Sequence, residues 1–199
     1  MMIILDGSLS MAERLENGES KMVVAKRVIL DLLRTLPPNV HVGFRVYGLS
    51  SYFRPCRSTE SLVAIGTNNR FLIANKVAKI QPNGATPISF SLSTSINQDF
   101  IGLNGKKTIV LVSDGAESCS SDPCEVTINA LRQGVNVKIN TIGLGISNDY
   151  DAERQLKCVA AATWGQFYTA NTAAELAKSL RQATRAESTV QGKIVIPKR

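Results

Sequence analysis

What this chain lacks narrows its chemistry before any motif is read. One histidine, His41, stands among 199 residues, so a serine hydrolase has a single imidazole to draw on as base. That histidine lies in an alternating apolar stretch (Val40, Val42, Phe44) that reads as strand. No G-x-S-x-G elbow and no G-x-x-x-x-G-K-S/T loop occurs, and Gly143-Leu144-Gly145 is too short for a dinucleotide loop. A phosphotransferase of the D-x-D kind would need a carboxylate where Ser8 stands. None of the four cysteines has C-x-x-C spacing, which argues against zinc. No apolar run reaches the ~18–20 residues of a membrane-spanning helix, so direct membrane insertion is not expected. A basic n-region and small-residue cleavage site are also missing at the start. Met1 runs straight into an apolar segment, as expected for a piece of a larger protein, so this says little about compartment.

What is present describes one ordinary globular domain. Hydrophobic content of 44% and charged content of 20% fit a packed core and exclude wholesale disorder. The formal charge is +7, yet the basic residues (Arg14, Lys21, Lys26, Arg27, Lys106, Lys107, Arg181, Arg185) are scattered. No run is dense enough for a nucleic-acid arm. They read as a solvated basic surface; a diffuse positive field would also speed encounter with an acidic partner.

Apolar strand-like runs alternate with longer amphipathic stretches, the pattern of an α/β domain with a mostly parallel sheet. Strands are expected at 2–5, 41–47, 62–65, 108–113, 136–144 and 166–169. The run K-T-I-V-L-V from Lys107 suits a strand covered on both faces. Helices are expected at 21–35, stopped by Pro37-Pro38, and at 69–80. Further helices are expected at 88–96 after Pro87, from Asp122-Pro123 to Leu131, and over 149–163 and 172–184. Residues 47–57 read as a loop, and 187–199 as a C-terminal tail or the start of a following segment, which leaves 1–186 as the domain.

Asp6, Ser8 and Ser10 form a D-x-S-x-S element where the first apolar run meets a loop. Thr86, in P-N-G-A-T-P, and Asp114, after the fourth strand, stand in similar settings. In open α/β sheets ligands collect at the carboxyl ends of the strands, where these loops would converge. The five side chains offer only oxygen donors, which a hard cation such as Mg²⁺ selects. Two aspartates balance a divalent charge without saturating it, so the ion would keep a demand for one more anionic oxygen.

The segments ILDGSLSM, GATPIS and LVSDG together resemble a von Willebrand factor type A domain, in that family's order and over nearly the whole chain. Asp6, Ser8, Ser10, Thr86 and Asp114 match the family's metal-ion-dependent adhesion site position by position. SDGAESCSSDPCE and CVAAATWGQFY look most like bacterial members. The resemblance implies a doubly wound, mostly parallel sheet with helices on both faces and one antiparallel edge strand, here 62–65. It implies recognition of another protein rather than catalysis. Ser8, Ser10 and Thr86 would touch Mg²⁺ (or Mn²⁺ or Ca²⁺) directly, Asp6 and Asp114 often through water, and a partner's Asp or Glu carboxylate would complete the shell. Leu9 departs from the pattern, standing where many relatives carry glycine, and its bulk would narrow the approach of a ligand. Each residue also has an ordinary role open to it: Asp6 as a turn cap, Asp114-Gly115 as a turn pair, Thr86-Pro87 as a helix start. A metal-independent scaffold and a metal-assisted or serine hydrolase are the competing functions.

An even cysteine count in an adhesion-type domain favours disulfides and an extracellular or periplasmic setting, with buried free thiols as the alternative. Cys56 and Cys158 fall on opposite sides of the expected fold. Two pairings stay open: Cys119 with Cys124, or Cys56 with Cys119 and Cys124 with Cys158. The second would brace the site loop from both sides.

Overall fold

The computed structural model describes residues 1–50, 52 and 54–185. Six strands form one sheet in the order β3-β2-β1-β4-β5-β6. They are β1 (Met2–Asp6), β2 (Val42–Tyr47), β3 (Thr59–Gly66), β4 (Thr108–Ser113), β5 (Lys138–Leu144) and β6 (Phe167–Ala170). Every pairing is parallel except β2 with the edge strand β3. The antiparallel edge lies where expected but is longer than 62–65, because Thr59 and Glu60 already pair with Tyr47 and Val46. β2 begins one residue after His41, and β5 begins at Lys138, opposite Thr108, two residues later than expected.

The inner strands β1, β2, β4 and β5 are buried on both sides, and their alternate residues divide into two cores. Ile3, Leu5, Phe44, Val46, Val110 and Val112 pack against α1 (Lys21–Thr35), α2 (Arg70–Lys79) and α6 (Ala173–Arg185). Met2, Ile4, Ile109, Leu111 and Ile139 meet α3 (Ile88–Thr94) and α5 (Tyr150–Ala162) on the other face, with α4 (Pro123–Arg132) beside them. Each fully buried Leu, Ile or Val stabilises the fold by about 1.5–3 kcal/mol, so covering both faces is what makes this near-continuous apolar sheet stable.

Helix ends follow local chemistry. Ser20 accepts from Val23 N at the start of α1, Asp122 from Cys124 N at α4, and Asp149 from Ala152 N at α5. Pro123 opens α4, whereas Pro87 caps α3, which begins one residue later. α3 then widens into a π-turn over Ser95–Asp99, past the 96 expected from sequence. The segment 187–199 lies outside the described residues.

Sheet order turns at β1, since the chain runs from β1 outward to β2 and β3, then returns to β4 on the other flank. The carboxyl ends of β1 and β4 therefore diverge into loops on opposite faces and leave a crevice between them.

Candidate functional site

Asp6 ends β1 fully buried, and its carboxylate organises the crevice floor. Oδ1 accepts from Ser8 N at 2.8 Å, closing the turn that starts the D-x-S-x-S loop. Oδ2 accepts from Tyr47 Oη and from Ser113 Oγ, each at 2.8 Å. Tyr47 sits opposite Asp6 in the β1–β2 register, so strand pairing delivers its hydroxyl. Burial, with the Asp6 charge next, raises the Tyr47 pKa well above its usual range, which keeps the phenol a donor.

From Asp6 a line of oxygens crosses the crevice. Ser8 Oγ lies 3.0 Å from Ser10 Oγ, and Ser10 donates to Asp114 Oδ1 at 2.9 Å. Asp114, just past β4, is buried with no exposed side-chain surface. That burial, and secondarily the negative charge of Asp6, push its carboxyl up to about 6, against the pull of Lys21 and Ser10. A carboxylate raised by a like-charged neighbour is a place where a cation is welcome.

Thr86 reaches this line by main-chain stitching. Leu9 N donates to Gly84 O at 2.9 Å, Asn83 N to Gly7 O at 3.0 Å, and Gly84 N to Gly48 O at 2.7 Å. A Cβ on Gly48 (φ +73°) would stand 2.6 Å from Ala85 O and 2.7 Å from Ser8 N, so the loops close only around glycine. Gly84 is in the same position, 2.6 Å from Ser50 O. Beyond Thr86, its N–H donates to Ser118 Oγ at 2.8 Å while Ser118 N returns a bond to Thr86 O at 3.2 Å. The three loops that carry Asp6–Ser10, Thr86 and Asp114 are thus one hydrogen-bonded unit, with Thr86 itself buried. Leu9 points outward at 64% exposure.

Two side chains at the site were not legible as such. Lys21, read above as one of many surface cations, is buried: its Nζ lies 2.9 Å from Asp114 Oδ2 and 2.9 Å from Glu13 Oε2. Burial alone would lower its pKa, but the hydrogen bonds and charges of Glu13 and Asp114 outweigh it and the net shift is upward. Glu117, downstream of Asp114, accepts from Ser89 N at 2.7 Å and from Cys119 N at 3.0 Å, tying the α3 start to the same loop. Nothing local in the sequence marks Lys21, although a lysine opening a helix whose first turn holds no acidic residue runs against the helix dipole.

Disulfides clamp the region. Cys56 joins Cys119 and Cys124 joins Cys158, with Cα separations of 5.4 and 5.5 Å. The first ties the β2–β3 connection to the loop after Asp114; the second ties α4 to α5. Such bonds persist in oxidising compartments outside the cytosol, and no described helix is long and apolar enough to cross a membrane.

Ser8 and His41 lie at opposite ends of the sheet, the first beyond β1 and the second before β2, so His41 is not placed to act as base for Ser8. Among the described residues no three His, Cys, Asp or Glu side chains gather to hold an ion. The cluster instead combines the Asp6 and Asp114 carboxylates with the Ser8 and Ser10 hydroxyls, an all-oxygen set of the kind hard cations accept, with Thr86 buried on the adjoining loop.

Comparison with known proteins agrees with this fold. The uncharacterized protein YwmD of Bacillus subtilis is 28% identical over 180 residues, covering 87% of this chain and 79% of that protein. Among solved structures, a von Willebrand factor type A protein from Catenulispora acidiphila superposes with a TM-score of 0.73 at 19% identity, covering 92% of this chain and 41% of that one. Proximal thread matrix protein 1 from the mussel byssus, solved with a zinc-occupied MIDAS motif, gives 0.69 at 18% identity, covering 93% and 44%. The profile of the von Willebrand factor type A domain matches residues 1–183. The chain belongs to the von Willebrand factor type A domain family, whose members are typically protein-interaction modules.

Proposed function

We propose that this domain is a divalent-metal-dependent protein-binding module of bacterial type, acting outside the cytosol. Ser8, Ser10 and Thr86 would hold Mg²⁺, with Mn²⁺ or Ca²⁺ as substitutes, and Asp6 and Asp114 would balance its charge. Once bound, such an ion supplies an oxygen-seeking electrophilic centre for the Asp or Glu carboxylate of a partner protein. The protein's own work is orientation: Tyr47 and Ser113 hold Asp6, the 83–86 turn carries Thr86, and the disulfides restrain the surrounding loops.

One observation carries this reading: Ser8, Ser10 and Asp114 touch in series, beside a second buried aspartate, at the crevice where the sheet order turns. A structural core gains nothing by gathering two carboxylates there. Calorimetric titration with Mg²⁺ and Mn²⁺ is the test. The wild-type chain is expected to bind, and Thr86→Ala and Asp114→Ala to bind at least tenfold more weakly with an intact fold. Equal heats for all three chains would remove the site.

The second reading is a metal-independent scaffold. It is favoured by Lys21, which already supplies Asp114 with a cation from the protein itself. Partner capture that is indifferent to chelator would select it.

A further inference from the structure

Lys21 opens α1, where the helix dipole favours an anion. It stands there nonetheless, with a side chain only 8% exposed. Its stem runs past Gly145 (φ +69°), where an added Cβ would approach Lys21 Cε to 3.1 Å, so the β5–α5 turn leaves space for it. The ammonium ends between two carboxylates of unlike setting. Asp114 is buried, whereas Glu13 is 65% exposed at the rim. Ser10 takes the other oxygen of Asp114.

Resting on the metal-site reading above, we propose that Lys21 is a resident cation of the crevice. It offsets the charge of Asp114 when no divalent ion is held, and its like charge weakens the hold on such an ion when one enters. Glu13 keeps the ammonium partnered when Asp114 turns to the metal. Divalent ion and acidic partner would therefore be retained together more firmly than either alone, because the partner's carboxylate restores the charge that Lys21 offsets. Lys21 is thus a positioning residue that tunes affinity without contacting the ligand.

The test compares wild type, Lys21→Met and Lys21→Arg by Mn²⁺ titration calorimetry and by thermal unfolding in chelator. Lys21→Met is expected to bind Mn²⁺ about tenfold more tightly, since a buried like charge is gone. In chelator it should melt several degrees lower, because Asp114 is left without a counter-charge. Lys21→Arg should stay close to wild type in both measurements. Unchanged or weaker Mn²⁺ binding by folded Lys21→Met overturns the proposal, whatever its melting point. Binding by Lys21→Met with none by wild type supports it and sinks the wild-type metal reading alone. No binding by any chain overturns both. Should Lys21→Met not fold, exposed Glu13→Gln gives the opposite sign, with Mn²⁺ binding weakened about threefold as the ammonium falls wholly to Asp114. Equal or tighter binding by Glu13→Gln then overturns the proposal.

Discussion

Asp99 and Asp114 are both buried carboxylates that face a basic side chain, yet their surroundings differ. Asp99, delivered by the π-turn after α3, meets Arg45 of β2 through two parallel bonds of 2.7 Å, and both side chains are 5% exposed or less. The third arm of Arg45 donates to Thr59 Oγ1 at 3.1 Å, so the guanidinium ties β2, β3 and the turn together. Among the described residues, Arg45 forms its ion pair with Asp99 alone. Asp114 instead divides its oxygens between Ser10 and Lys21 and has Asp6 beside it. Its carboxyl is raised by burial and, secondarily, by that neighbour. The closed, bidentate pair is a strut; the divided one, carrying a residual repulsion, is a place where charge can still be added.

This contrast can be broken most visibly at the strut. Asp99→Ala leaves the Arg45 guanidinium buried without a counter-ion and should cost about 3–5 kcal/mol in urea unfolding, equally with and without divalent ions. Reduction of the disulfides in a chelator-treated chain comes next. Bridging 63 and 34 residues of chain, they are expected to contribute about 2–4 kcal/mol each, read as a shift of the denaturation midpoint on adding reductant. Asp114→Asn should be far milder in chelator, about 1 kcal/mol, because Lys21 keeps Glu13 and the repulsion with Asp6 disappears. The same variant should lose its calorimetric response to Mg²⁺, which Asp99→Ala, if folded, should keep. Smallest of all is Arg34→Ala on α1, whose partner Asp31 is equally surface-bound; its effect should stay within about 0.5 kcal/mol and fade with salt. If Asp114→Asn instead matched Asp99→Ala in cost, the crevice pair would be a strut as well.

The opposite rim of the sheet sharpens the same lesson. There Leu32, Leu36, Ile65, Phe100 and Leu103 line a cavity of about 720 Å³. Its lining mixes these with Asn39, Asn104, Lys106, Lys107 and Arg181, and it has no counterpart to the paired aspartates. The buried Asp6, Ser8, Ser113 and Asp114 stand at the carboxyl rim, where the loops supply hydroxyls and N–H groups to satisfy them.

Most of the architecture was readable from period and punctuation. The β-branched run from Lys107 could hardly be anything but a buried strand, and α1 came out over the residues expected because Ser20 and Pro37 bound it. The standing of Asp6, Ser8, Ser10 and Asp114 beside strand ends was readable because short polar residues follow apolar strands at the point where a parallel sheet exposes its ends. Lys21 and Arg45 were not, since each looks like any surface base until a partner 93 or 54 residues away is brought to it. The π-turn that presents Asp99 likewise has no local signature in S-I-N-Q-D. Cysteine pairing stayed open for the same reason, as it depends on α4 lying against α5 and on the β2–β3 connection lying over the loop after Asp114.

Taken alone, the order of residues determined the alternation of strands and helices, the two-faced apolar sheet, and which hydroxyls and carboxylates stand at strand ends. These follow from side-chain period and turn chemistry, which act over a few residues. Only the folded chain decided which charges lie close enough to share a proton donor or oppose one another, and which sulfurs meet. Coulomb energy is screened over about 10 Å and a disulfide joins Cα atoms about 6 Å apart, a scale on which distance along the chain says nothing.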